Sequence, residues 1–161
     1  MNRSWQPVEA RLLSEYLAVT FPDDRTMQRV RVGSLHPSLD LPGLTPEERR
    51  LAGVWRRWVD AIVDTGRDVI LIEAAVNPDP GDISQLDLYM RLFPSTPELQ
   101  EFRGRPLRGL LVYAIDDPTL RAMAAERGFT VAIYRPRWVD AYILTLAARR
   151  RRSPLTSGYE T

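Results

Sequence analysis

The sequence predicts an α/β protein, a single domain in which a mixed β-sheet is flanked by helices. Three observations lead there. First, 161 residues with 44% hydrophobic content, and no compositional break long enough for a second core, describe one compact unit. Second, amphipathic stretches with three-and-four spacing alternate with short apolar runs of strand length, in the order α, β, α, β, β, α, β, α, β, α. Third, helices separate the later strands, an order that argues for a mixed sheet with helices on both faces.

Each element has its own signal. Residues 5–21 carry Val8, Leu12, Leu13, Tyr16, Leu17 and Phe21 at helical spacing, and Pro22 stops the helix. Met27 to Val32 alternates arginine with apolar residues, a half-exposed strand closed by Gly33. A loop with Pro37, Pro42 and Gly43 follows. Thr45-Pro46-Glu47-Glu48 is a capping box that opens a helix running to about Arg57. Val59–Val63 and Asp68–Val76 flank Asp64-Thr65-Gly66-Arg67 as a hairpin of two buried strands. Asp82 is placed to cap a helix from Ile83 to Phe93, ended by Pro94. Pro97–Arg105 reads as irregular or as a helical turn. Leu107–Ile115 is an apolar strand, Asp116-Asp117-Pro118 caps a helix that Gly128 closes, and Phe129–Tyr134 alternates as a strand. Val139–Ala148 is a last helix, with Arg149–Arg152 where cations suit the helix dipole. Residues 1–148 are read as the domain and 149–161 as a basic, polar tail.

Composition narrows the chemistry. There is no cysteine, which excludes disulfides and thiolate metal sites; a metal here takes oxygen ligands, with His36 the lone imidazole. His36 itself reads as a satisfied loop histidine. All 22 basic residues are arginine, spread from Arg3 to Arg152, which points to genome composition or selection for heat more than to one binding patch. Net charge is only +1, so the whole chain is no strong magnet for nucleic acid. Residues 135–161 are locally basic, six arginines against Asp140 and Glu160. No stretch approaches the roughly 20 consecutive apolar residues of a membrane span, and the start Met-Asn-Arg-Ser-Trp-Gln has no apolar centre of a signal peptide. The expectation is no membrane partner and a cytoplasmic or virion-enclosed location.

The most informative residues are two acids in apolar strands. Glu73 follows Ile70, Leu71 and Ile72, where an ionised carboxylate needs a cation, a hydrogen-bond cage or water. Asp60 sits in Trp-Val-Asp-Ala-Ile-Val, and the hairpin brings it to Glu73, within about 4 to 6 Å. Convergent carboxylates imply a divalent cation, and plain solvation of strand ends is the alternative. Gln85 and Tyr89 stand four apart on one face of the next helix; the rival reading makes Gln85 part of a cap and Tyr89 core between Leu86 and Phe93. Arg149, Arg150, Arg151 and Arg152 read equally as a phosphate- or acid-binding cluster and as a solvated helix end. Trp5, Trp55, Trp58 and Trp138 read as core anchors at element ends.

Asp60, Glu73 and the pair Gln85 and Tyr89 resemble the PD-(D/E)XK nuclease superfamily, in its Gln-x-x-x-Tyr branch, and small stand-alone bacteriophage domains in particular. The resemblance covers roughly residues 5–134. It implies a restriction-endonuclease-like core, Asp60 and Glu73 holding Mg2+ or Mn2+, Glu9 on the first helix as a further metal ligand, and Gln85 and Tyr89 bordering a catalytic site that acts on DNA. Where the family pattern has Glu-x-Lys, this chain has Glu73-Ala74-Ala75. A methyl group neither accepts a proton nor carries charge, so the resemblance implies an impaired or inactive nuclease. The alternative is a structural or assembly protein, for example a virion, neck or packaging component, reusing the fold. A protein partner or a homo-oligomer contact through the C-terminal tail is expected.

Overall fold

A computed structural model describes residues 7–34, 38, 41–52 and 56–152. Trp5, His36, Trp55 and the tail residues 153–161 lie outside the described residues, so the readings placed on them rest on sequence alone. The element order is the one expected from periodicity: α1 (Pro7–Thr20), β1 (Arg25–Val32), α2 (Pro46–Ala52), β2 (Arg57–Asp64), β3 (Val69–Ala75), α3 (Pro80–Leu92), β4 (Leu107–Tyr113), α4 (Pro118–Glu126), β5 (Thr130–Ile133) and α5 (Arg137–Arg152). Two 3-10 turns, Phe93–Ser95 and Pro97–Phe102, join α3 to β4.

Local chemistry accounts for the boundaries. The capping box at α2 forms in both directions: the Thr45 amide donates to Glu48 Oε2 at 2.7 Å and the Glu48 amide to Thr45 Oγ1 at 3.2 Å. The helix is shorter than expected, because Arg57 is already in β2, paired with Val32. α3 also starts earlier. Asp79, not Asp82, is its N-cap, accepting from the Gly81 amide, and Asp82 returns the bond by accepting from the Asp79 amide at 3.1 Å. Pro80 at the first helical position favours that start, since its missing N–H costs nothing there. Asp117 caps α4 through the Thr119 and Leu120 amides. In the β2–β3 turn Gly66 takes φ +80°, the left-handed region that glycine enters without strain, and its amide donates to Asp64 Oδ1 at 2.8 Å.

One five-stranded sheet runs in the order β1-β2-β3-β4-β5. β1, β2 and β3 pair antiparallel; β3, β4 and β5 pair parallel. α3 and α4 are the crossovers, and both pack on one face, burying Ile83, Leu86, Tyr89, Leu120 and Ala124 against Leu71, Ala75 and Leu111. On the other face Leu13, Tyr16 and Leu17 of α1 cover Ala61, Val63, Ile70, Ile72 and Val112. Val139 of α5 joins Leu12, Val76 and Ala114 beside them. Each fully buried leucine contributes on the order of 1.5–3 kcal/mol, so the two layers together hold the sheet. Thr96, buried in the turn after α3, locks this frame: its Oγ1 accepts from the Gly33 amide at 2.7 Å and donates to the Leu92 carbonyl at 3.0 Å.

Gly109 in β4 shows how closely helix and sheet approach. A Cβ there would lie 2.5 and 2.9 Å from two ring atoms of Phe129 and 3.1 Å from Leu86 Cδ2. Gly109→Ala is therefore expected to cost about 1–3 kcal/mol of stability, as overpacking does in a filled core. Chemical denaturation monitored by tryptophan fluorescence checks this, and an unchanged midpoint would contradict it.

Candidate carboxylate site

The site begins with a fault in strand alternation. In a regular strand residues i and i+2 share a face. On β3, Leu71 and Ala75 face α3, with Glu73 between them, while Ile70, Ile72 and Ala74 face α1. On β2, Val59 packs into the α3-side core although Ala61, two residues on, packs into the α1-side core. β1 shifts in step, since Met27 and Val30 both pack against the α3-side core. The ladder between the strands goes from Gln28 with Ala61 directly to Val30 with Val59, omitting Arg29 and Asp60. Arg29 has φ +52°, unusual for a residue with a Cβ. β1 and β2 thus kink together at Arg29 and Asp60.

The kink releases Asp60 from the other ladder too. Pairing of β2 with β3 ends at Ala61 with Ile72, one step short of placing Asp60 in register with Glu73. Beyond that point side chains take backbone partners. The Asp60 amide donates to Glu73 Oε1 at 3.3 Å, and the Ala74 amide donates to Asp60 Oδ2 at 3.0 Å. Each carboxylate is held by the main chain of the opposite strand, so both reach one gap between β2 and β3.

Burial makes this arrangement electrostatically unfavourable for two anions. Glu73 is only 7% exposed. Desolvation first, and then the Asp60 charge, hold its carboxyl well above the usual range, against the opposing bond from the Asp60 amide. Desolvation lifts Asp60 to about 7; the Ala74 amide and Arg29 pull it down, while Glu9 and Asp82 push it up. Four acids, Glu9 at the start of α1, Asp60, Glu73 and Asp82 in the first turn of α3, therefore share one electrostatic neighbourhood. Among the described residues no three His, Cys, Asp or Glu side chains gather into a group able to hold a metal ion. Asp60 and Glu73 together offer oxygen ligands whose uncompensated charge a cation would relieve, and Glu9 acts on both at longer range.

The remaining sequence candidates separate. Tyr89 fills core among Leu86 and Phe93, and its hydroxyl is also driven upward by burial, Glu73 and Asp60, with Arg57 opposing. Tyr89 is thus a core residue, as the rival reading has it, within electrostatic reach of both acids. Gln85 is half-buried one turn earlier on the same helix, and Ala75 is fully buried on the face that carries Glu73. Arg149, Arg150 and Arg151 are exposed on the last turn of α5, the helix that packs through Val139 on the α1 side. Asp82 was hidden in sequence by its look of a cap. Trp58 corrects the expectation of a core anchor: it is 38% exposed, with Arg29 and Arg31 over its ring at 5.4 and 4.7 Å. Trp138 is anchored as expected, its Nε1 donating to Glu15 Oε2 at 2.8 Å.

No protein-family profile and no curated protein matches the chain. Solved structures similar to it include a repair endonuclease from Pyrococcus abyssi, with 14% identity and TM-score 0.45 over 84% of this chain and 50% of that one. A structure of EndoMS with double-stranded DNA has 14% identity and TM-score 0.47 over 84% of this chain and 49% of that one. A protein of unknown function has 12% identity and TM-score 0.45 over 94% of this chain and 68% of that one. The chain spans about half the length of the two endonuclease chains.

A pH test follows from the raised carboxyls. The folded chain keeps protons on Asp60 and Glu73 that the unfolded chain releases near the ordinary carboxyl value of about 4. Their contribution to stability is thus greatest at or below that pH, falls as pH rises, and for Asp60 levels off above about 7. Glu73→Gln keeps an oxygen acceptor for the Asp60 amide and cannot ionise. The variant should match the wild type near pH 4 and melt higher, by about 2–4 °C or more, at pH 7.5 in chelator. Thermal melts across pH check this; a variant less stable at pH 7.5 would show Glu73 to be held by a compensating charge.

Proposed function

We propose that this chain is a PD-(D/E)XK nuclease-like protein of nucleic-acid processing whose capacity to cleave is impaired or lost. The carrying observation is the pair Asp60 and Glu73, held by each other's strands where β2 and β3 part, with Tyr89 and Gln85 alongside on α3. Mixed strand pairing, antiparallel through the acids and parallel beyond them, is compatible with a restriction-endonuclease-like core. Asp60 and Glu73 would hold Mg2+ or Mn2+, which supplies polarisation of a phosphodiester. Asp82 and Glu9 would add negative potential that strengthens cation capture.

Ala75 supports impairment. Its side chain lies buried on the Glu73 face, two residues on, where the family resemblance expects a lysine. Loss of a positioned proton-transfer group typically costs on the order of 10² to 10⁴ in rate. DNA is the proposed substrate or ligand. A second reading, a structural or assembly protein, draws support from the outer half of α5, where Leu144 is 71% and Leu146 40% exposed ahead of the arginines. In that reading the end of α5 meets a protein partner or a second copy. No helix among the described residues is long and apolar enough to cross a membrane.

With Mn2+ the wild type is expected to cut linear, nicked or single-stranded DNA at a rate near background, and Mn2+ is expected to raise its melting temperature in a way that Glu73→Gln abolishes. Brisk cleavage that Glu73→Ala removes would overturn the impaired reading; absence of any Glu73-dependent cation effect would remove the metal site. Ala75→Lys is the gain-of-function probe: new Mn2+-dependent cutting would show that the scaffold retains its substrate geometry. For the assembly reading, Leu144→Glu should convert any oligomer to monomer in light scattering, and an unchanged mass would remove that support.

A further inference from the structure

The kink that releases Asp60 also builds a surface on the other side of the same two residues. Arg31 pairs with Trp58 across the strands, and Arg29, next to them, carries the positive φ. Both guanidinium groups lie over the Trp58 ring. Arg57 is exposed at the neighbouring position and lies near enough to act on Tyr89. Arg56 completes the cluster but is paired to Glu98, whose charge Arg31 also feels. Arg31 Nε and Arg56 Nε are buried with no hydrogen-bond acceptor among the described residues. Two arginines, Arg29 and Arg31, thus lie over one partly exposed indole, and the Arg29 charge also reaches Asp60.

Stacked on Trp58, the two arginines also stiffen the pairing of β1 with β2 as ordinary cation–π contacts. Two features go beyond that stiffening. A left-handed arginine is a strained way to place a stiffening contact, and such residues cluster at ligand clamps and active sites. The same strained residue also adjoins Asp60, so the cluster and the carboxylate pair share one structural cause. Guanidinium groups held on an aromatic ring lose little further freedom on meeting a phosphate.

We infer that Arg29, Arg31 and Trp58 form a binding strip for a nucleic-acid strand, gripping its phosphates and leading the backbone to the gap between β2 and β3. The strip deepens the nuclease-like reading and rests on it for the strand's destination. Its ligand is a phosphodiester chain, single-stranded or duplex. The exposed edge of Trp58 offers a surface for an unstacked base, which favours the single strand.

The test is fluorescence anisotropy with labelled oligonucleotides of about 20 nucleotides, single-stranded and duplex, in chelator at low salt. Arg29→Gly is the central variant, because glycine accepts the positive φ and the change removes the guanidinium without straining the fold. Arg29→Gly, Arg31→Gln and Trp58→Ala are each expected to weaken single-strand binding about ten-fold, and each arginine change to lower the slope of log affinity against log salt by about one. Neutralising Arg149–Arg151 should leave most of the affinity in place. A preference for duplex over single strand would overturn the base-contact part. Binding that none of the three variants changes by more than about two-fold, or no binding at all, would overturn the strip. Glu73→Gln separates the two readings: tighter strand binding with loss of the cation effect supports both, while a strip that binds in a protein with no Glu73-dependent cation effect leaves the strip standing and the metal site refuted.

Discussion

Two carboxyl groups facing one gap, Glu73 buried and Asp60 half-buried, set the terms for this molecule. An acid in an apolar strand must be neutralised, hydrated or bonded, and Glu73 has only one exposed edge and the Asp60 amide to answer with. Asp60 answers in turn with the Ala74 amide. The main-chain ladder ends where these bonds begin, so the strand separation is also the means by which the acids are held. A fully zipped β2–β3 hairpin would use those amides in the ladder, leaving the two carboxylates without their partners.

The cost of that separation is spread over the frame. α1 on one face and α3 with α4 on the other clamp the strands up to the point of divergence, through Ala61, Val63, Leu71 and Ile72. Thr96 ties the end of β1 to the end of α3, so the kinked edge is fixed at both sides of the fault. The left-handed Arg29 is tolerated within this over-determined setting. A strained residue held between a firm ladder and a firm helix keeps its geometry when a ligand comes or goes.

The same kink joins two kinds of chemistry. On its inner side are carboxyls pushed toward their protonated form; on its outer side Arg29 and Arg31 lie over the Trp58 ring. In the proposed function a phosphodiester with a divalent cation would serve both, with anionic oxygens for the arginines and positive charge for the acids. Such a site would need no strongly basic surface, in keeping with a lysine-free, nearly neutral chain. The buried methyl of Ala75 stands beside the acids, so capture and cleavage separate in this reading.

The order of the elements was legible in sequence because local rules produce it: helical spacing in α1, the reciprocal cap of α2, the glycine turn after Asp64 and the aspartate-proline start of α4 each act within a few residues. The convergence of Asp60 and Glu73 was legible for a related reason, since a short hairpin leaves little choice of register. Boundaries followed less closely where two local signals competed, as with Asp79 and Asp82, and the proline between them decided the cap. What sequence could not decide was the phase shift at Arg29 and Asp60. Alternation patterns assume an unbroken ladder, and neither residue announces that its ladder will break. The break exists because β1, β2 and β3 must satisfy two helical layers and two acids at once, a balance among segments far apart in the chain. Trp58 therefore read as core and stands at the surface between arginines, and Asp82 read as a cap and adds its charge to the carboxylates. Their partners come from other strands and helices, and only packing those elements against one another determines which side chains meet.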